Sequence, residues 1–221
     1  MKYKYILFDL DGTVSESAQG IRKSLEYAIK KLDCHMPNLD DYTLYIGPPL
    51  IDTFRNLCGL SPKEAEYGAS LYRSYYNEKG KFLNRAYPGI REAAETLKKH
   101  DLLLAICTSK YESFAKEILH ILDLEDCFDE VCGSNLDGSR KDKKDLIPYA
   151  IERLGGSFPK DRDATVMIGD TWYDAMGARL CGVDFIGARY GYGTESAMGE
   201  QGAEVFAETP ADLLPLLTKA E

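Results

Sequence analysis

Asp9 and Asp11 stand one residue apart at the end of a short apolar run, Tyr5-Ile6-Leu7-Phe8-Asp9-Leu10-Asp11-Gly12-Thr13. Carboxylates this close repel, so each raises the other's proton affinity unless a cation is near. One can then act as an ionised nucleophile or metal ligand while the other carries a proton. Thr108 and Ser109 close a second run, Leu102-Leu103-Leu104-Ala105-Ile106-Cys107. Their hydroxyls and amides suit phosphate oxygens, or a plain helix N-cap. Asp170 closes a third, Thr165-Val166-Met167-Ile168-Gly169, and opens Thr171-Trp172-Tyr173-Asp174. Asp9 and Asp170 offer hard oxygen ligands of the kind Mg²⁺ takes. Asp174 could hold a metal-bound water or cap the following helix. Between the second and third runs lies a basic cluster, Arg140-Lys141-Asp142-Lys143-Lys144-Asp145. One of its lysines turned inward would neutralise nucleophile and phosphate together.

These groups meet only if the fold brings three strand ends to one edge. From Pro88-Gly89 onward, apolar runs alternate with helical periods. Helices are expected over Ile90–Lys99, Tyr111–Leu122, Asp145–Leu154, Ala175–Leu180 and Ala211–Leu217. Strands are expected over Leu102–Cys107, Phe128–Val131, Thr165–Ile168 and Val183–Gly187. Pro148 limits how far back the third helix runs. Repeated βα units of this length imply a parallel sheet with helices on both faces. In such a sheet the carboxyl ends of the strands share one edge, where ligands bind. Residues 15–86 read differently. Ile21, Leu25, Ala28, Ile29 and Leu32 form a helical stripe, as do Tyr67, Leu71 and Tyr75, and Ser61-Pro62-Lys63-Glu64 is a capping box. The expected architecture is a Rossmann-like core, 1–14 and 87–221, with an all-helical cap domain, 15–86, inserted on two hinge connections.

Composition narrows the setting. The chain has 221 residues, 44% of them hydrophobic, and a formal charge of −9. That charge argues against nucleic acid polymers and acidic membranes as partners, because polyanions are repelled at long range. No apolar stretch approaches the roughly 20 residues that span a bilayer, and no secretory leader is recognisable. Six scattered cysteines without a CxxC pair, mostly among apolar neighbours, point to reduced thiols in a cytoplasmic protein. They also make zinc and copper poor choices.

The residues now assembled resemble the four motifs of the haloacid dehalogenase-like hydrolases: Phe8-Asp9-Leu10-Asp11-Gly12-Thr13, Thr108-Ser109-Lys110, a downstream lysine, and Gly169-Asp170-Thr171-Trp172-Tyr173-Asp174. The helical insertion is similar to the cap of the phosphoglycolate phosphatase-like branch. The resemblance implies that Asp9 attacks phosphorus and forms an aspartyl-phosphate, and that Asp11 is the general acid and base. Mg²⁺ would bridge Asp9, the Asp11 carbonyl and Asp170, with Asp174 beside it. Thr108 would hold the phosphoryl group, with Gly12, Thr13, Ser109 and Lys110 around it. Lys143, which opens the helix leading back to Asp170, is taken as the motif lysine. Lys141 and Lys144 remain open, since the family's Lys-Pro pair is absent. Asp11 favours phosphate esters over halides.

Specificity is expected in the cap, at the stiff turn Tyr45-Ile46-Gly47-Pro48-Pro49-Leu50. Arg55 could meet a second anionic group or be a solvated helix arginine. That turn and Leu136-Asp137-Gly138-Ser139-Arg140 resemble a 5′-nucleotidase-like subgroup. The implied partner is a small phosphorylated metabolite, a nucleoside 5′-monophosphate first and phosphoglycolate second. A sugar phosphomutase and a non-catalytic phosphate-binding protein are the other readings, and both monomer and homodimer stay open.

Overall fold

In the computed structural model, which describes residues 2–35, 38–135 and 139–218, a parallel sheet forms the centre. Its strands are β1 (Tyr5–Phe8), β4 (Leu103–Tyr111), β5 (Glu130–Ser134), β6 (Thr165–Gly169), β7 (Asp184–Ala188) and β8 (Val205–Ala207), in spatial order β5-β4-β1-β6-β7-β8. A separate antiparallel pair, β2 (Ser15–Glu16) with β3 (Arg85–Ala86), joins the two connections to the helical segment. The helices are α1 (Ala18–Leu32), α2 (Leu50–Cys58), α3 (Pro62–Glu78), α4 (Ile90–Lys98), α5 (Glu112–Ile121), α6 (Lys143–Arg153), α7 (Trp172–Cys181), α8 (Glu195–Gly199) and α9 (Leu213–Thr218).

β1 is apolar throughout because both its faces are covered. Ile6 and Phe8 point into a cluster with Ile90, Leu97, Ile118 and Leu213, from α4, α5 and α9. Tyr5 and Leu7 point the other way, among Leu146, Ile147, Ala150 and Ala178 of α6 and α7. Each fully buried side chain of this size contributes roughly 1.5–3 kcal/mol. Register then sets the site. Phe8 lies opposite Ile106 of β4 and Ile168 of β6. Asp9 is therefore level with Cys107 and Gly169, and Thr108 and Asp170 come one residue beyond on either side. The described helices include none long and apolar enough to cross a membrane.

Three local expectations are corrected. The buried face of α3 is Ala65, Gly68, Ala69, Tyr72 and Tyr76, not Tyr67-Leu71-Tyr75. Small residues let α3 approach its neighbours closely: a side chain on Gly68 would meet Leu32 at 2.9 Å and Phe54 at 3.2 Å. Tyr67 is left 59% exposed. Helix α6 begins at Lys143, so Pro148 sits inside it rather than near its start. The carbonyl that Pro148 cannot reach, that of Lys144, accepts instead from the Cys181 thiol at 3.5 Å. Finally, β8 and α8 were not anticipated; both are too short to give a clear period. The Ser61 capping box is present, with the Ser61 amide donating to Glu64 Oε2 at 2.9 Å. All six cysteines are free. Leu136, Asp137 and Gly138 lie outside the described residues.

Candidate active site

Asp9 continues the ladder of β1, its amide donating to the Ile168 carbonyl at 2.8 Å, and its side chain emerges at the sheet edge. Lys143, only 2% exposed, projects from the first turn of α6 into the space between Asp9 and Asp174. Its Nζ lies 2.6 Å from Asp9 Oδ1, 2.6 Å from Asp174 Oδ1 and 2.7 Å from the Cys107 carbonyl. Of the three candidate lysines this one is in the cluster. Lys144 is exposed, and Lys141 reaches Asp52 Oδ2 at 3.4 Å on the rim.

Asp170 is fully buried, with Oδ1 accepting from Thr13 Oγ1 at 3.3 Å and Oδ2 from the Tyr192 amide at 2.8 Å. Gly12 permits that burial. Its φ of +92° lies in the left-handed region, and a Cβ there would fall 2.1 Å from Asp170 Oδ2. Asp174 divides its oxygens between two tasks: Oδ2 accepts from the Thr171 amide and hydroxyl, capping α7, and Oδ1 pairs with Lys143.

Asp9, Asp170 and Asp174 each present an oxygen within 4.8 Å of the others. Three buried carboxylates against one ammonium leave a deficit of positive charge that a divalent cation would fill, and their oxygens are the hard donors such ions take. The electrostatics agree. Burial pushes the Asp9 carboxyl up to about 7, with Lys143 pulling down and Asp174 pushing up. Burial, then the Asp174 and Asp9 charges, hold Asp170 well above the carboxylate range. Burial opposes the charge of Lys143, but the Asp174 and Asp9 carboxylates outweigh it and the ammonium is retained.

Across from this cluster stand Asp11 and the β4 end. Asp11 Oδ2 pairs with Lys110 Nζ at 2.7 Å, and Asp11 Oδ1 is buried without a partner among the described residues. Lys110 also donates to the Tyr76 hydroxyl at 3.1 Å. The Ser109 hydroxyl is likewise buried and unpartnered, while Thr108 Oγ1 accepts from the Lys110 amide at 3.2 Å. Unspent buried polar atoms of this kind call for a ligand.

Asp9, Asp11, Thr108, Ser109, Lys110 and Gly47 line the cleft that opens here. Arg55 does not; it is exposed on α2. Arg73 of α3 does line it, with its guanidinium 4.5 Å over the Tyr111 ring. Arg73, Tyr76 and Tyr192 escaped the sequence reading. For Tyr192 a signal existed: Gly191-Tyr192-Gly193 follows β7 at the same sheet edge. For Arg73 and Tyr76 none did, since their role depends on the phase of α3.

A doubly wound parallel sheet with a buried lysine-paired aspartate, a neighbouring acid and an acidic cluster at one strand edge is the arrangement of a Rossmann-like phosphohydrolase. The chain belongs to the haloacid dehalogenase-like hydrolases, whose family model matches residues 6–188. A 5′-nucleotidase of Pseudomonas aeruginosa is 34% identical over 198 residues, 90% of this chain and 88% of that protein. The tyrosine-protein kinase PtkA of Mycobacterium tuberculosis is 35% identical over 188 residues, 85% of this chain and 62% of that protein. The crystal structure of a predicted phosphatase from Clostridium acetobutylicum superposes with a TM-score of 0.91 at 35% identity, covering 98% of this chain and 99% of that one.

Proposed function

We propose that this chain is a Mg²⁺-dependent phosphatase that hydrolyses a nucleoside 5′-monophosphate through a phosphoryl group carried on Asp9. The observation that carries the reading is the Lys143–Asp9 pair, 2.6 Å long and buried, with Asp9 and Asp11 both lining an aromatic cleft. Asp9 attacks phosphorus, the ester P–O bond breaks, and Asp11 gives its proton to the departing oxygen. Asp11 then takes a proton from the attacking water; the acyl-phosphate P–O bond breaks, freeing phosphate and the Asp9 carboxylate. Thr108 and the amides of Leu10 and Ser109 hold the phosphoryl oxygens, with Gly12 and Thr13 shaping the loop beneath them. Lys143 orients Asp9 and opposes the protonation that burial favours. Asp9, the Asp11 carbonyl and Asp170 would hold Mg²⁺, with Asp174 beside them, and the ion would supply charge neutralisation. Residues 15–86 act as the cap, on hinges at β2 and β3, and exclude bulk water.

The cleft supports a nucleoside over a two-carbon acid. Tyr45, Ile46, Pro48, Tyr72 and Phe114 line it, and Arg73 is stacked on Tyr111 at its wall. Phosphoglycolate would leave these faces wet. A planar base would cover them, and stacking on an aromatic face is worth roughly 1–3 kcal/mol per base. A phosphate-release screen should therefore rank nucleoside 5′-monophosphates above phosphoglycolate in kcat/KM. Arg73→Ala should lower the nucleotide value by about 10-fold through KM, consistent with the loss of one stacked cation. Preference for phosphoglycolate would overturn the substrate reading, and phosphate appearing on an added sugar or alcohol rather than in solution would overturn hydrolysis.

Ion binding should depend on pH in a stated direction. In the ion-free protein burial pushes Asp9 up to about 7 and raises Asp170 as well, so protons compete with a cation for these oxygens. A cation must displace those protons. Mg²⁺ affinity should accordingly climb as pH rises through 7. Calorimetry at pH 7 in buffers of different ionisation heat should show proton release. A pH-independent affinity without proton release would mean that these carboxylates are not the ligands.

A further inference from the structure

Tyr192 touches the cluster and the hinge at once. Its backbone amide donates to Asp170 Oδ2 at 2.8 Å. Its phenol oxygen accepts from the amides of Ser17 at 2.7 Å and Ala18 at 2.9 Å, where the first connection enters α1. Helix starts normally satisfy these amides locally, through a Ser, Thr, Asp or Asn side chain. Ser17 occupies the N-cap position of α1 but makes no such bond, and its hydroxyl is buried without a partner among the described residues. The acceptor comes instead from a core loop some 175 residues away in sequence. The start of α1 is thus held by the same residue that holds Asp170.

The rest of the loop repeats the arrangement. Tyr190 packs edge-on against Tyr87 of the return connection, ring centroids 5.0 Å apart, and the Tyr87 amide donates to the Val14 carbonyl at 3.1 Å. The Tyr192 ring sits 5.7 Å from that of Tyr42 in the helical segment. Gly191 lies between the two tyrosines with no room for a side chain: a Cβ would come within 2.2 Å of Asp170 Cβ and 2.4 Å of the Gly12 carbonyl. The backbone of the loop is therefore packed directly against Asp170 at its hinge end.

We propose that Tyr192 is a positioning residue that couples the seating of the helical segment to the orientation of Asp170, so that closure of the cap and assembly of the ion site occur together. The inference rests on the phosphatase reading above, with residues 15–86 acting as the cap. Coupling of this kind is reciprocal. Fixing Asp170 with an ion must also steady the amides of Ser17 and Ala18.

Tyr192→Phe removes only the phenol oxygen and keeps both the ring against Tyr42 and the amide to Asp170. Amide hydrogen exchange, read with and without Mg²⁺ as the probe, is the first arm. In the wild type Mg²⁺ should slow exchange at Ser17 and Ala18 several-fold. In Tyr192→Phe both amides should exchange about 10-fold faster and no longer respond to the ion. Exchange that is unchanged by the substitution, or insensitive to Mg²⁺ in the wild type, overturns the coupling. Ion affinity is the second arm. Calorimetric titration should show Mg²⁺ binding several-fold more weakly to the variant, because the seating of α1 no longer favours the Asp170 orientation that takes the ion. Equal affinity in wild type and variant would mark a merely structural role and overturn the proposal. If the wild type releases no phosphate from adenosine 5′-monophosphate, the phosphatase reading fails, and the exchange and titration arms still decide the coupling.

Discussion

Asp9→Asn will turn over phosphate esters at least about 10³-fold more slowly than the wild type, with its melting temperature unchanged or higher. The amide has the carboxylate's shape but cannot form the acyl phosphate, so the chemical step is lost outright. Stability is spared for an electrostatic reason. Burial disfavours the ionised form of Asp9, and Asp174 adds repulsion, so a neutral side chain relieves the site. Lys143 is not orphaned by the change, because it retains Asp174 at 2.6 Å and the Cys107 carbonyl at 2.7 Å. Steady-state kinetics and a thermal melt on the same preparation check both halves. A cleanly folded Asp9→Asn with wild-type kcat would remove Asp9 from the reaction.

Lys143→Met tests the opposite charge. Methionine matches the stem of lysine in length and flexibility, so the substitution subtracts a cation with little change in packing. It leaves Asp9, Asp170 and Asp174 buried within 4.8 Å of one another without the ammonium that stands between two of them. Removing one partner of a buried ion pair costs about 3–5 kcal/mol, because the remaining charge is uncompensated. Urea unfolding in chelator should show a loss of that order. Mg²⁺ should restore part of it, since the ion neutralises the same carboxylates. Turnover should fall with the loss of the ammonium that orients Asp9, and Mg²⁺ should not bring it back to the wild-type level. A destabilisation below about 1 kcal/mol would mean that the carboxyl cluster does not depend on the lysine for its charge balance.

The sheet edge was legible in the sequence because its strands are short, apolar on both faces and each terminated by a polar residue. Ile6-Leu7-Phe8 before Asp9 and Val166-Met167-Ile168 before Gly169-Asp170 required nothing but that pattern. What could not be read depends on rotation and depth rather than on type. The apolar stripe of α3 was placed on the tyrosines, whereas Ala65, Gly68 and Ala69 decide which face approaches α1. That phase error hid Tyr76 and Arg73. Lys143 and Lys144 are adjacent and chemically identical, and only the direction of the first turn of α6 buries one and exposes the other. Helix α6 starts before the residue that Pro148 suggests, and the carbonyl the proline leaves free accepts from a thiol of α7, a partner no local pattern reveals. Arg55 was singled out for its charge and lies on the exposed side of α2. Tyr192 acts through its amide as much as its ring, so its chemistry was not in its residue type.

Phosphorus that passes through a covalent bond to Asp9 leaves an adduct that rapid acid quench of the enzyme, during turnover of a nucleoside 5′-monophosphate with Mg²⁺, followed by peptide mass spectrometry, will reveal. A hydroxylamine-labile phosphoryl adduct should be found on the peptide spanning Tyr5 to Thr13, localised to residue 9, and absent from Asp9→Asn. Turnover at full rate with no adduct anywhere in the chain, or with the adduct on Asp11, Asp170 or Asp174 instead, would contradict it.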